Sequence, residues 1–307
     1  MAVAARTIPA RRLAGPGRRV RIALTWLAIV AILVVVWEGA KWLFGDPWRI
    51  HTTFLGLPID IEHKPPMPAR IARDLSLPHI WDVVSAFSEP AQRNGAPLGL
   101  ILAGQAWFTF REALIGFVVG GLLGLLLGIG FVHSRLAERA FVPYVVASQT
   151  VPILAISPLI VVATKAGWVS VAIISAYLTF FPVTIAALRG LRAADARAFE
   201  LMRSYAAGKL SVLWKLRLPT SVPYLFSSLR VAAAASVIGA LIGELPSGIP
   251  DGLGASLLNY NQYYTSGPER LWATIIVCSI LGLTFVGLVR LAEMLLTRNR
   301  YRPVAGA

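Results

Sequence analysis

Six long runs of apolar residues dominate this chain of 307 residues and constrain its fold more than any other feature. A helix needs about 20 residues to cross the roughly 30 Å hydrocarbon layer of a bilayer, and each run reaches that length. Because 56% of the residues are hydrophobic and only 14% are charged, a soluble core could not bury so much apolar surface. The runs comprise residues 22–44, 107–131, 141–163, 168–188, 222–245 and 271–295. We therefore predict an all-α integral membrane protein with six transmembrane helices.

The basic residues lie mostly between these runs and predict how the helices cross the membrane. The formal net charge is +14, and the loop 189–219 carries seven Lys or Arg residues against Asp195 and Glu200. Loops with an excess of Lys and Arg stay on the cytoplasmic side. This placement indicates contact with the lipid bilayer and its anionic surface rather than with nucleic acid. We expect a multi-pass membrane protein with both the N- and the C-terminus in the cytoplasm.

Composition divides the chain into segments with different expected environments. Residues 1–21 are rich in Pro, Gly and Arg and are expected to form a disordered cytoplasmic tail. The run 22–44 ends without a small-x-small cleavage site, so we interpret it as a retained N-terminal transmembrane helix rather than a signal peptide. Residues 45–106 are expected to be extracytoplasmic, with an interfacial helix at residues 69–87. The rest is a five-helix core and a cytoplasmic tail, residues 107–295 and 296–307.

Four glycines recur at every fourth position of the second run and therefore share one face of a helix. They are Gly116, Gly120, Gly124 and Gly128, called the glycine stripe below. Small residues at this spacing allow close helix contact in lipid, where packing replaces the hydrophobic effect. The stripe could belong to a moving gate or to a packing seam, and we expect the seam.

The third run carries three prolines, which remove backbone hydrogen bonds and predict a kinked helix. Such a helix is tolerated where protein or a water-lined cavity satisfies the freed groups, so we expect it to line a path for solutes. Candidates for that path on the third and fifth runs are Gln149, Thr150, Pro152, Ser157, Ser236 and Glu244. For Glu244 two interpretations remain open: a polar group that faces the path or a subunit seam, or a helix-end carboxylate that reaches water.

The other polar residues indicate no catalytic chemistry. Glu38 and Lys41 lie three residues apart near the end of the first run and are expected to form a local ion pair. The four histidines have no second ligand at helical spacing and are expected to be solvated or interfacial. Gly208-Lys209 lacks the rest of a Walker A loop, and neither an HExxH nor a Gly-x-Ser-x-Gly motif occurs. We therefore expect no catalytic residue, no metal site and no nucleotide site on this chain.

The loop 189–219 contains residues at the spacing of a known transporter motif. Glu200-Leu201-Met202, Ala206-Ala207-Gly208 and Leu218-Pro219 resemble the EAA loop of permease subunits in type I ABC importers, a short helix that docks into the ATPase subunit. That family has Glu-Ala-Ala, three residues, Gly, and a Leu-Pro about a dozen residues further on. Here Leu201, Met202 and Ala206 replace the Ala, Ala and Gly of the family. The resemblance covers most of the chain after Trp107 and is closest to the branch that imports taurine, aliphatic sulfonates, nitrate and thiamine-precursor pyrimidines.

The resemblance implies the type I ABC importer permease fold in the bacterial plasma (inner) membrane, with six transmembrane helices and a cytoplasmic coupling helix near residues 195–207. It implies a transport subunit rather than an enzyme, with no cofactor of its own, since ATP and Mg belong to the ATPase. The implied partners are a second permease copy in a homodimer, two ATP-binding subunits and an extracytoplasmic substrate-binding protein. The residues implied to couple to the ATPase are Glu200, Leu201, Arg203, Ser204, Tyr205, Ala206, Ala207 and Gly208.

The implied substrate is a small polar solute, such as a sulfonate, nitrate or a heterocyclic vitamin precursor. Two other functional classes remain open. A secondary transporter would show internal repeats and broken helices with acidic or amide ligands at the bilayer midplane. A membrane scaffold or assembly protein would need no path at all. Co-purification with an ATPase distinguishes these three classes.

Overall fold

A computed structural model describes residues 16–54, 57–67, 69, 72–91, 95–165 and 167–297. The chain forms two compact units, Met1–Val84 and Ser85–Ala307. Within the described residues, five helices are long and apolar enough to cross a membrane, and a sixth span results if one strongly bent helix pair is counted as one. The predicted class, a helical membrane protein with about six spans, is confirmed.

The first unit contains a long helix and a β-hairpin. Helix α1, Pro16–Phe44, begins before the predicted boundary at residue 22, and residues 1–15 of the predicted tail lie outside the described residues. Strands β1, Trp48–Phe54, and β2, Leu57–His63, pair antiparallel, with Trp48 opposite His63. The sequence analysis did not predict this hairpin.

Two charged residues of α1 find their partners far along the chain, so the expected Glu38–Lys41 ion pair is wrong. Glu38 Oε2 lies 2.8 Å from Nδ1 of His79, and Glu38 Oε1 accepts a hydrogen bond from the backbone N–H of Ile80 at 2.8 Å. Lys41 is buried and forms an ion pair with Asp74. A buried ammonium group needs a counter-charge, and Asp74 supplies it. His79 is also buried, so the expectation of a solvated or interfacial histidine fails at this position.

The helix expected at residues 69–87 is much shorter in the structure. Helix α2 spans only Ile80–Ala86, and no described residue from 69 to 79 is part of an α-helix. Pro78 accounts for the late start, because a proline disfavours the helical conformation in the residue that precedes it.

Four long helices form the core of the second unit. They are α3, Leu98–His133; α6, Trp168–Arg192; α9, Leu218–Ser247; and α11, Pro268–Thr297. Helix α6 packs against both α3 and α9, and α11 packs against α9 and α3. Helix α3 begins well before the predicted boundary at residue 107, directly after Pro97, whose extended backbone (ψ 140°) ends the preceding segment.

The third predicted span is two helices rather than one kinked helix. Helices α4, Arg135–Ser148, and α5, Ile153–Ala163, meet at an angle of 101°. Pro152 is the N-cap residue of α5 and has extended backbone, so the chain turns there. Pro143 and Pro158 lie inside their helices, and the break does not occur at either of them.

Short elements complete the second unit on either side of α9. Helix α7, Ala196–Ser204, and helix α8, Lys209–Val212, follow α6. A π-helical turn, Leu213–Arg217, called the π-turn below, leads directly into α9. After α9 come helix α10, Leu253–Gln262, and a 3₁₀ turn, Tyr264–Ser266.

The glycine stripe is buried against α6, as expected for a packing seam. A Cβ atom on Gly124 would lie 2.6 Å from the backbone oxygen of Phe180, and one on Gly128 would lie 2.5 Å from Cβ of Ala187. Cβ atoms on Gly116 and Gly120 would collide with Ser175 and with the backbone oxygen of Ala176. The absence of side chains therefore sets the distance between α3 and α6.

Gly124→Ala is expected to lower the stability of the core by about 1–3 kcal/mol, because the atoms that it would meet belong to the rigid backbone of α6. Gly130→Ala is the matched control on the same helix, since nothing lies within 4 Å of the added Cβ. Thermal unfolding in lipid nanodiscs measures both variants. A wild-type melting temperature for Gly124→Ala would show that α3 and α6 are not in close backbone contact.

Candidate functional site

Helix α7 lies in the basic loop at the place predicted for the coupling helix. It spans Ala196–Ser204, which is shorter than the predicted 195–207. Asp195 caps its N-terminus by accepting a hydrogen bond from the backbone N–H of Arg197 at 3.0 Å. None of its residues is buried, and Leu201 is 56% exposed.

The end of α7 explains how the departure from the family pattern is tolerated. Ala206 has φ +51°, in the left-handed region that favours glycine, and it stands where the family pattern has Gly. A helix commonly ends with a residue in this conformation, at a cost of roughly 1–2 kcal/mol when that residue is not glycine. The backbone of the motif is thus kept although the residue differs. The predicted coupling residues lie on α7 as far as Ser204 and in the turn that follows it.

Two contacts connect α7 to the ends of α6 and α9. The guanidinium of Arg217, in the π-turn, lies 5.0 Å from the ring centroid of Phe199 on α7. The same guanidinium donates a hydrogen bond to the backbone oxygen of Leu191 on α6 at 3.3 Å. Arg217 therefore links α7 to the end of α6 and to the start of α9.

The residues predicted to line the path fall into two groups. Gln149, Thr150 and Pro152 lie in the exposed bend between α4 and α5. Ser157 and Ser236 are buried on α5 and α9, which pack against each other, and their hydroxyls donate to carbonyl oxygens of their own helices. Their role in a path stays a prediction.

Glu244 holds the N-terminus of α10 together with two side chains of α3. Its Oε2 accepts a hydrogen bond from the backbone N–H of Gly254 at 2.5 Å. Thr109 Oγ1 accepts one from the N–H of Leu253 at 2.8 Å. The Gln105 side-chain oxygen accepts one from the N–H of Gly252. The first N–H groups of a helix have no partner within the helix, and a carboxylate also suits the positive end of the helix dipole. Glu244 is only 1% exposed, so the interpretation in which it reaches water is wrong.

A second carboxyl group, that of Glu112 on α3, faces Glu244. Within the described residues, both carboxyl oxygens of Glu112 and Oε1 of Glu244 are buried and receive no hydrogen bond. Ionised carboxylates can only accept hydrogen bonds, so neither could satisfy the other. A proton held between them lets one group donate to the other and removes the repulsion between two like charges.

Sequence reasoning missed Gln105, Thr109 and Glu112, although their spacing was available as a signal. They are separated by four and then three residues, and four further residues lead from Glu112 to Gly116. Residues at these intervals share one face of a helix. The polar residues and the glycine stripe are therefore a single face of α3.

A cavity of about 810 Å³ lies beside α10 and is called the α10 cavity below. Gln105 and Glu244 line it, together with Asn259 and Tyr260 of α10 and Arg270 of α11. Burial raises the pKa of the Tyr260 hydroxyl above its ordinary value, against the opposing effect of the Arg270 guanidinium. The hydroxyl thus stays a hydrogen-bond donor at neutral pH. The walls offer both donors and acceptors, which suits a polar solute of modest size.

Comparison with known proteins gives consistent results. A family model described as "Binding-protein-dependent transport system inner membrane component" matches residues 120–298. The chain is 30% identical over 233 residues to the formylaminopyrimidine transport permease protein ThiX of Halalkalibacterium halodurans, covering 72% of this chain and 92% of that protein. It is 31% identical over 190 residues to the riboflavin transport system permease protein RibX of Chloroflexus aurantiacus, covering 62% and 70%. A solved structure of the MetNI methionine ABC transporter in inward-facing conformations matches with a TM-score of 0.51 at 17% identity, over 73% of this chain and 99% of that chain, which shows a shared fold.

Glu244→Ala is expected to lower stability by about 1–3 kcal/mol, because the buried N–H of Gly254 then has no acceptor. Glu112→Gln is the matched control, since an amide can donate to Glu244 and leaves the cap of α10 in place. Thermal unfolding in lipid nanodiscs should therefore separate the two variants. If Glu244→Ala melts at the wild-type temperature, the carboxylate does not hold α10.

Proposed function

Since this chain belongs to the family of binding-protein-dependent transport system inner membrane components, we propose that it forms the membrane path of an ATP-driven importer for a small polar solute. The resemblance that the basic loop indicated is confirmed by this family match and by the named relatives. The chain is an ABC importer permease subunit: a multi-pass inner-membrane protein and a transport component rather than an enzyme. A secondary transporter and a scaffold protein do not fit this family.

The partners follow in general from the family, and their number and arrangement are proposals. A permease subunit of this kind works with an ATPase and a substrate-binding protein. We propose two ATPase copies, a second copy of this chain in a homodimer, and both chain termini in the cytoplasm. ATP and Mg would be bound by the ATPase, and this chain would bind neither. The excess of basic residues in the loop 189–219 supports this orientation.

The observation that carries the proposal is the exposed helix α7. It connects two core helices, buries none of its own residues, and ends in a left-handed residue at the glycine position of the coupling motif. We propose that Glu200, Leu201 and Tyr205 contact the ATPase. Tyr205 is 77% exposed, and an exposed aromatic ring beside an exposed leucine gives a protein partner apolar area to bury.

We propose that the solute path runs along α5 and α9 and includes the α10 cavity. The contact between α5 and α9 and the position of Glu244 on the cavity wall support this proposal. The path residues proposed on the bend are Gln149, Thr150 and Pro152. A conduit of this kind should bind its solute weakly, because tight binding would slow release.

The proposed substrate is a small polar solute, such as a sulfonate, nitrate or a heterocyclic vitamin precursor. The names of the ThiX and RibX relatives support a heterocyclic compound within this range.

Glu200→Arg is expected to reduce ATP-dependent uptake into proteoliposomes at least about tenfold, because it reverses a charge at the proposed ATPase contact. The assay contains the full chain with its ATPase and its binding protein. Glu62→Arg, the same charge reversal on strand β2, is the matched control and should transport at the wild-type rate. Normal uptake by Glu200→Arg would contradict the assignment of α7 as the coupling helix.

A labelling control shows that the variant is inserted correctly. In a Cys278→Ser background, a cysteine at Ser88 should react with an impermeant reagent from outside, and one at Ser211 only after the membrane is opened. The labelling pattern should be the same with and without Glu200→Arg. Labelling of both positions from one side would contradict the proposed orientation.

A further inference from the structure

Arginine dominates the walls of a second cavity, of about 790 Å³, where α4, α6, α7 and the π-turn meet. Arg135 and Arg139 come from α4, Arg192 from α6 and Arg217 from the π-turn. Glu138 is the acidic residue among those that line it. This space is called the arginine cavity below.

The charges of the arginine cavity are only partly balanced. Arg192 forms an ion pair with Glu138 through both of its terminal nitrogens. Arg217 is engaged with the ring of Phe199 and with a backbone oxygen, neither of which carries a negative charge. Among the described residues, no carboxylate forms an ion pair with Arg135 or Arg139. The cavity therefore holds surplus positive charge that an anion can neutralise.

Two apolar grooves continue from the arginine cavity along α3. The first, of about 350 Å³, runs between α3, α4 and α6 and is lined by Leu127, Phe131 and Phe180 among others. The second, of about 380 Å³, runs between α3 and α6, shares Phe180 with the first, and extends to Val119. Val132 of the arginine cavity packs against the buried cluster that contains Phe131. The charged cavity and the two grooves thus follow one another along α3, from Val132 through Leu127 to Val119.

The length of this surface matches one leaflet of a bilayer. Val132 and Val119 are thirteen residues apart on α3, which is about 20 Å at 1.5 Å per residue. One leaflet together with its headgroups takes up half of the roughly 40–45 Å bilayer, which is about 20–22 Å. A ligand with a negatively charged head and two long apolar chains therefore fits the surface from end to end.

We propose that this surface binds one anionic phospholipid of the cytoplasmic leaflet. The phosphate lies between Arg135 and Arg139, whose guanidiniums can each donate two parallel hydrogen bonds to its oxygens. The acyl chains lie in the two grooves. Basic pockets between membrane spans on the cytoplasmic side suit such headgroups, and the leaflet follows from the orientation proposed above. Phe199 of α7 and Arg217 of the π-turn border the same cavity, so the bound lipid also supports α7 on the side that faces the arginine cavity.

The test measures lipid retention by the purified full chain, using native mass spectrometry after exchange into defined lipid. One phosphatidylglycerol per chain should be retained, and phosphatidylcholine, which has no net charge, should be retained at least about tenfold less. The double variant Arg135→Gln/Arg139→Gln should lose about tenfold or more of the phosphatidylglycerol, since each lost charged hydrogen bond weakens binding by roughly that factor. Arg189→Gln is the matched control, an exposed arginine near the end of α6 that does not line the arginine cavity.

A second variant separates a lipid from a free anion. Leu127→Trp fills the first groove without changing charge, so it should reduce retention of phosphatidylglycerol and leave binding of inorganic phosphate unchanged. Equal retention of both lipids, or no loss in the double arginine variant, would overturn the proposal. So would inorganic phosphate that displaces all phosphatidylglycerol while Leu127→Trp has no effect.

The grooves could instead be covered by a second copy of this chain, and this outcome is also decisive. If lipid fills the groove, the variant Leu127→Cys should not form a cross-link between two copies of this chain in phosphatidylglycerol nanodiscs. Efficient cross-linking there would assign the groove to the partner copy and overturn the proposal. Thermal unfolding of the double arginine variant at the wild-type temperature confirms that the loss of lipid does not reflect misfolding. None of these measurements requires transport, so they stand apart from the test of the proposed function.

Discussion

The core of the second unit depends on one face of helix α3, which makes two kinds of contact along its length. Over the glycine stripe, the backbone of α3 meets α6 where no side chain could fit. Nearer the start of α3, the same face continues as Gln105, Thr109 and Glu112 and reaches Glu244 and the N-terminus of α10. Close backbone contact leaves little room for one helix to shift against the other, so the polar contacts stay in register. The position of α10, and with it the shape of the α10 cavity, follows from this single face.

The contrast between this fixed core and the exposed helix α7 suits a subunit that transmits motion. Helix α7 buries no residue, and Phe199 and Arg217 connect it to the ends of α6 and α9. Helices α6 and α9 pack against each other, and the last turn of α9 carries Glu244, which lines the α10 cavity. In the proposed function, a displacement of α7 by the ATPase therefore reaches the opposite end of the path through packed helices that move as units. The exposed bend between α4 and α5 lies outside this rigid connection, and in the proposed function it is where the path opens.

Features that repeat at a fixed interval could be predicted from the sequence, and features that depend on distant contacts could not. The apolar runs, the glycine stripe and the basic loop follow from local length, spacing and charge. Glu38 and Lys41 were paired with each other because they are close in sequence, whereas folding gives them His79 and Asp74. The hairpin was missed although Leu57–His63 alternates apolar and polar residues, because seven alternating residues are a weak signal beside apolar runs of more than twenty. Glu112 was missed because it follows Arg111 directly in the sequence, and only the fold shows that Glu244 lies opposite it.

The central claim, that one face of α3 fixes the N-terminus of α10, can be tested by hydrogen–deuterium exchange of the full chain in lipid nanodiscs. Peptides that contain residues 252–254 should exchange as slowly as peptides from the middle of α6, because all three N–H groups are bonded to side chains of α3 or α9. Replacing Thr109 with alanine should speed exchange at the α10 start without affecting α6. Exchange at residues 252–254 as fast as that of the exposed helix α7 would contradict the claim, since those amides would then be open to water rather than held by α3 and Glu244.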